Sequence, residues 1–372
     1  MEERAGFQRS EAELERLLEE AKKVRGNSLW KDAMRRFRKN QLSFLSLWLV
    51  VLVSVLCFLA PLLPLAPRDR VSMNQQYLEP LHEDLLDDGG LFLRRGWPGV
   101  FADDAARDEA VTKIVERSGL LEGWMIQLRY KMFGDREIVP WMGTDQLGRC
   151  ILSRVLWGGR ISLMVGLVAT LVSLIIGVSY GAFSGYIGGW VDNLMMRAVD
   201  AMYSIPFIFV VIFLITVIKN NPDLAIDRMV LFFAVIGAIY WLTMARVVRG
   251  QVLSIKQKEY VEAARVLGAS TGRILFRHLV PNVMAVVLVY LTLTIPRVML
   301  FEAFLSFLGL GVESPDVSWG MLAADGLGAI NPLRVYWWFV LFPSLALGLT
   351  LLSLNFLGDG LRDALDPRLK DV

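Results

Sequence analysis

Six stretches of this chain stay apolar over the length a bilayer demands: 42–63, 161–183, 199–218, 229–245, 283–305 and 335–357. A helix crossing about 30 Å of hydrocarbon needs roughly 20 such residues. Lipid offers the backbone no hydrogen-bond partner, so every N–H and C=O must be satisfied within the segment or in a closed barrel. A barrel strand alternates lipid-facing and lumen-facing residues, and these runs lack that alternation. The expected fold is therefore an all-α polytopic membrane protein with six transmembrane helices. Composition agrees, with 55% hydrophobic and only 20% charged residues. The polar connection at 219–228, with Asn220, Asn221 and Pro222, makes the third and fourth spans a hairpin.

Lys and Arg in short loops are retained on the cytoplasmic side. One side collects Lys22, Lys23, Arg35, Arg36, Arg38 and Lys39, then Arg246, Arg249, Lys256, Lys258, Arg265, Arg273 and Arg277, then Arg362, Arg368 and Lys370. The other has Lys219, Arg228 and Arg334. Both termini are thus expected in the cytoplasm, and the chain divides into a basic, amphipathic segment 1–40, a first transmembrane helix 41–65, an external loop 66–159, a five-helix core 160–358 with a cytoplasmic loop at 246–282, and a tail 359–372. The first forty residues hold no short apolar core, so no cleaved signal peptide is expected. Ser10 and Glu13 form a capping box ahead of Leu14, Leu17, Leu18, Ala21 and Val24, a helix that Gly26 and Asn27 would end. It would lie on the membrane surface, on a partner, or loosely on the protein's own loops.

The net charge is +2 and the cations are spread along the chain, which excludes nucleic acid as a partner. Cys57, Cys150, His82 and His278 show no zinc-ligand spacing, so free thiols and no metal are expected. The external loop, with Asp-Asp-Gly-Gly at 87–90 and a mixed-charge helix from Asp103 to Arg117, would be a small folded cap. No nucleophile and base pair points to catalysis.

The cytoplasmic stretch between the fourth and fifth spans is amphipathic and too polar to cross. Glu259 to Leu267 suits a short helix, Gly268 its C-terminal stop, Ser270 a second N-cap, and Pro281 the return to the membrane. Ala263 and Ala264 leave a low surface, with Glu262 and Arg265 at its edge. Such a connector can simply cap its own bundle. Yet Glu262-Ala263-Ala264, Gly268 and then Pro281 stand in the order and spacing of the EAA loop, and so the chain resembles permease subunits of ATP-binding cassette importers. Three more segments narrow the resemblance to the second, C-type permease of the dipeptide and oligopeptide family. They are Gly143-Thr144-Asp145-Gln146-Leu147-Gly148-Arg149 running on to Gly159-Arg160-Ile161-Ser162-Leu163, Glu302 to Gly311 followed by Ser318-Trp319-Gly320, and Asn355 to Arg368. Two features depart from the family: Cys150 stands where an aspartate usually follows the Gly-Arg pair, and the external loop is longer.

The resemblance implies a type I importer permease fold whose EAA helix seats on an ATPase. The implied partners are a second related permease, two ATPase subunits that carry ATP and Mg, an external solute-binding protein, and membrane lipid. The chain itself has no Gly-x-x-x-x-Gly-Lys-Ser/Thr phosphate loop and binds no cofactor in this reading. The location implied is the inner membrane of a bacterium or archaeon, and the cargo is peptide, although related systems carry nickel, opines or oligosaccharides. Ala263, Ala264 and Gly268 would supply shape to the coupling contact and Glu262 a polar anchor. For the path or gate the sequence offers Ser204, Thr292, Thr294, Asn355, Arg297 and Glu302. Ser and Thr in spans often bond their own helix, and Arg297 and Glu302 sit near enough to the outer end to snorkel. A self-contained secondary transporter or channel is the competing class, although no run of intramembrane acids suggests ion coupling.

Overall fold

The structure, a computed structural model, describes residues 29–85, 92–99, 101, 103–219, 228–312, 314 and 316–365. The helix expected from Ser10, the turn at 87–90, the connection at 220–227 and the tail residues Arg368 and Lys370 lie outside the described residues.

A basic helix α1 (Leu29–Lys39) leads into α2 (Gln41–Phe58). Asn40 separates them because its side-chain oxygen accepts the Ser43 N–H, an N-cap for α2. The external segment contributes a two-stranded antiparallel sheet, β1 (Leu93–Arg95) with β2 (Arg136–Ile138), and between the strands two helices, α3 (Asp104–Arg117) and α4 (Leu120–Phe133). It is a folded cap, with Trp97, Val111 and Ile126 as its small core. Next, α5 (Ile151–Val172), a π-turn at Ser173–Gly177 and α6 (Val178–Ile187) form one rod of 37 residues. Then come α7 (Gly189–Ser204), α8 (Phe207–Lys219), α9 (Arg228–Ile255) and the short α10 (Glu259–Val266). A second 37-residue rod joins α11 (Thr271–Ile274), a π-turn at Leu275–Leu279 and α12 (Val280–Phe307). The chain continues through α13 (Trp319–Gly328) to α14 (Trp337–Leu365).

Among the described residues, five rods are long and apolar enough to cross a membrane, and α7 with α8 brings the number to as many as six. The third crossing differs from expectation. In place of one helix over 199–218 there are two, bent by 74° at Ile205 and Pro206. Proline disfavours helical geometry at the residue before it, and Ile205 is accordingly extended, with φ −84° and ψ 120°. The helices also overrun the apolar runs. The fourth, read as 229–245, continues to Ile255 because Arg246 and Arg249 are paired, with Asp200 at 2.7 Å and Asp192 at 2.6 Å on α7. The rod of α5 and α6 begins at Ile151, ahead of the boundary drawn at 160, whereas α2 ends at Phe58, short of 63.

Between α6 and α9 the spacing is set by Gly177, Gly181 and Gly185, a four-residue repeat on one face. A Cβ at Gly177 would lie 2.6 Å from the Met244 Cβ, and one at Gly185 2.9 Å from the Arg249 carbonyl. Small residues let the backbones approach, which is how helices gain contact in lipid, where no hydrophobic force separates protein from solvent. Three buried clusters follow along the bundle. One joins α6, α9, α10 and α12; a second joins α2, α5, α13 and α14; a third joins α5, α8, α9 and α12.

Candidate functional site

The elbow expected after α9 is present. Val261, fully buried, anchors α10 in the cluster of Val248, Val252, Ile274, Leu279 and Val283. The opposite face of α10 has no such cover. The helix stops in a Schellman turn: the Gly268 N–H bonds the Arg265 carbonyl and the Ala269 N–H the Ala264 carbonyl, each at 3.0 Å. Gly268 adopts φ +77°, the conformation that favours glycine, and nothing lies within 4 Å of a Cβ placed there. Its requirement within this chain is therefore backbone geometry, with open space in front of it. Ser270 holds the N-cap position of α11, but its side chain makes no capping bond.

Pro281 lies inside the second long rod and not at its start. A proline removes an N–H and crowds the preceding turn. Here the π-turn at Leu275–Leu279 absorbs the mismatch immediately before it, with the Val280 N–H reaching back to the Leu275 carbonyl. The elbow is tied to the bundle at two further points. Arg265 stands over the Tyr186 ring at 5.7 Å, and Lys256 Nζ donates to the Gly185 carbonyl at 2.8 Å, a cation at the C-terminal end of α6.

Glu262, Ala263 and Arg265 are exposed and Ala264 is half-buried. The most exposed apolar side chains of the elbow are Val266 and Leu267, each 86% exposed. Sequence reasoning passed over this pair. The available signal was their position: five and six residues after Val261, they fall off its buried face.

Three of the polar residues offered for a path bond their own helices. Ser204 donates to Ala201, Thr292 to Val289 and Thr294 to Tyr290, all carbonyls of their own helices at 2.7 to 2.8 Å. Asn355 and Arg297 are exposed. Glu302 is fully buried and accepts from Ser306 at 2.8 Å and Ser162 at 3.3 Å, so it is not a snorkelling surface acid. The Ser162 hydroxyl also accepts the Trp319 N–H, and the Trp319 indole donates to the Val155 carbonyl at 2.8 Å. Glu302 thus sits at a joint of α5, α12 and α13.

The Gly143 to Arg154 segment forms a second joint at the far ends of the spans. Asp145, fully buried, accepts from Arg149 Nε at 2.7 Å and Arg154 Nη1 at 2.6 Å and from the backbone of Leu147 and Arg149. Gly148 has φ +70°, and a Cβ there would strike the Ser72 carbonyl. Cys150 occupies the N-cap of α5, its sulfur accepting the Ser153 N–H at 3.5 Å. The aspartate usual at this place would be an ordinary N-cap, and a thiol is a weaker acceptor in the same role.

An exposed apolar elbow at one end of a bundle of long apolar helices, with an ordered cap at the other, is the architecture of a multi-pass membrane protein. The chain belongs to the binding-protein-dependent transport system inner membrane component family, which it matches over residues 177–371. Residues 28–80 match the N-terminal TM domain of oligopeptide transport permease C. It is 40% identical over 345 residues to the oligopeptide transport system permease protein OppC of Escherichia coli, with 93% of each chain covered. The OppC of Haemophilus influenzae is 39% identical over 94% of this chain and 92% of its own. The dipeptide transport system permease protein DppC of Bacillus subtilis is 46% identical over 62% of this chain and 69% of its own. The chain is a multi-pass permease subunit of a binding-protein-dependent ATP-binding cassette importer.

Proposed function

We propose that this chain forms one half of a translocation path for di- or oligopeptides and takes its drive from ATPase subunits through α10. The observation that carries the coupling half of this reading is the Val266 and Leu267 pair, 86% exposed on a helix held to the bundle by buried Val261. Exposed apolar surface next to a pinned helix marks a protein contact. Glu262, Ala263, Ala264 and Arg265 flank that contact, Gly268 sets its backbone and Pro281 leads the chain back to the membrane. The peptide half rests on the relatives' names.

In this reading the chain performs no catalysis. ATP and Mg reside on two partner ATPases, a second related permease completes the path, and an external solute-binding protein selects the cargo. Both termini face the cytoplasm of the bacterial or archaeal cell. Closure of the ATPases pushes the elbow, and the rods joined to it carry the shift to the far side, an alternation between two bundle states. Moving such an equilibrium from one extreme to the other takes about 5.5 kcal/mol of differential binding. A packed apolar contact supplies this more readily than an exposed ion pair worth about 0 to 1 kcal/mol.

The test is gentle extraction of the assembled importer from its membrane with Val266→Asp and Leu267→Asp variants beside the wild type. The wild type should recover a related permease and phosphate-loop ATPases, and the variants should keep the permease and lose the ATPases. Retention of ATPases and peptide uptake by both variants would refute the elbow's role.

A further inference from the structure

A cavity of about 300 Å³ lies between the cap and the ends of the spans. Its walls include Ala60, Pro61 and Leu65 to Asp69, just past the end of α2, Trp157 on the second turn of α5, and Lys113, Arg117, Glu122 and Arg129 from α3 and α4. The other end of the α5 and α6 rod meets the elbow, where Arg265 stands over Tyr186. The cavity therefore sits at the membrane surface opposite α10.

Its charge is unbalanced. Arg68, Lys113, Arg117 and Arg129 line it against Asp69 and Glu122, four cations to two carboxylates, and Glu122 is held by Arg160 at 3.1 Å. Arg68 pairs with Asp316 at 3.3 Å and Lys113 with Glu109 at 2.6 Å. Arg129 is only 1% exposed, and no carboxylate bonds it. Nε donates to Leu63 and Nη2 to Leu65 and Arg136, all backbone carbonyls, while Nη1 has no hydrogen-bond partner. The Trp97 ring lies 3.5 Å from the guanidinium carbon. The buried Glu137 attracts Arg129 without bonding it and is itself held by Arg70 and Arg94, so Arg129 has no carboxylate of its own. A buried cation whose hydrogen bonds are all to neutral groups is costly unless an anion approaches it.

Beside the cavity, the first turns of α4 present Leu120, Leu121 and Trp124, exposed by 98%, 70% and 60%. In water these three would be a liability, whereas at a bilayer surface they match the aliphatic and tryptophan residues that enter the interface. Glu122, within the same turn, is the residue bonded by Arg160 on α5, which fixes this patch against the spans.

We propose that the cavity binds the phosphate-bearing headgroup of an anionic lipid, with Leu120, Leu121 and Trp124 inserted among its acyl chains and Arg129, Arg117 and Lys113 facing the phosphate. The site anchors the cap to the leaflet opposite the elbow, so that the cap and spans keep their register on the membrane. Phosphate is the shared chemistry, and a free anion is the other source of it.

The test reconstitutes the full chain into vesicles of equal parts phosphatidylglycerol and phosphatidylcholine. These carry a trace of phosphatidylglycerol with a photoreactive diazirine in its headgroup, and adducts are mapped by mass spectrometry. Adducts should fall within residues 60–69 and 113–129 and be displaced by excess phosphatidylglycerol but by neither phosphatidylcholine nor millimolar inorganic phosphate. Lys113→Glu with Arg117→Glu, both at exposed rim positions, should cut them at least about fivefold, and Leu120→Ser with Leu121→Ser should cut them as well. Arg129→Lys keeps the buried charge and should retain labelling. Displacement by inorganic phosphate would identify a free-anion site and overturn the lipid reading. So would equal displacement by phosphatidylcholine, or labelling unmoved by the charge reversal.

Discussion

Cys150 keeps the N-cap role that an aspartate usually fills here, with a weaker acceptor. Burial pushes its thiol from 9.0 up to about 11. A group whose folded pKa is raised stabilises the protein fully below its unfolded pKa, and that stability is lost as pH rises through the folded value. Between pH 9.0 and about 11 the folded protein should therefore lose stability that a Cys150→Ser variant keeps, seen as a steeper fall in the wild type's melting temperature over that window. Glu302 carries the converse lesson, since a single acid joins three helices through serine hydroxyls. Glu302→Ala should lower stability by about 1–3 kcal/mol by orphaning buried donors, and Glu302→Gln by less, measured by thermal unfolding in detergent. Near-equal losses would mean that filling the volume is not enough and that both carboxylate oxygens are needed as acceptors.

Among the elements, α7 decides most. The bend that follows it at Pro206 is missed when 199–218 is read as one helix, although the proline is its cause, and the attachment of α7 has no local signal at all. Asp192 accepts both Arg249 nitrogens at 2.6 Å and the Ser184 hydroxyl at 2.5 Å, tying α6, α7 and α9 together. Arg249→Ala leaves the nearly buried Asp192 without its cation and should cost about 2–4 kcal/mol, while Asp192→Asn with Arg249→Gln should recover part of the loss. A melting-temperature cycle on Asp192→Asn, Arg249→Gln and the double variant measures the coupling. Strict additivity would show that α7 is held by packing alone.

For the whole molecule, the elbow's exposed tip sets the expected separation between stability and assembly. Gly268→Leu meets no neighbour in this chain, so its intramolecular cost is the left-handed backbone alone, about 1–2 kcal/mol. The variant should fold and insert, with the lost function appearing as weaker recovery of ATPases and weaker uptake. An unfolded variant would place Gly268's role inside the chain. The spans, the elbow's short helix, its glycine stop and the mixed-charge helix of the cap were legible in the sequence, because bilayer thickness and helix-terminus chemistry act within a few adjacent residues. The path residues were not, because whether Thr292 or Arg297 faces a cavity depends on rotations that neighbouring helices impose. Sequence by itself determined that this chain must be a bundle of membrane helices with a polar elbow, since no other arrangement satisfies its backbone in lipid. Only the tertiary structure decided that Glu302 is buried among serines, that Arg129 lies in a cavity with an unpaired nitrogen, and that Val266 and Leu267 are left uncovered. Burial and pairing are properties of distances between residues far apart in the chain, and those exist only once the helices have packed.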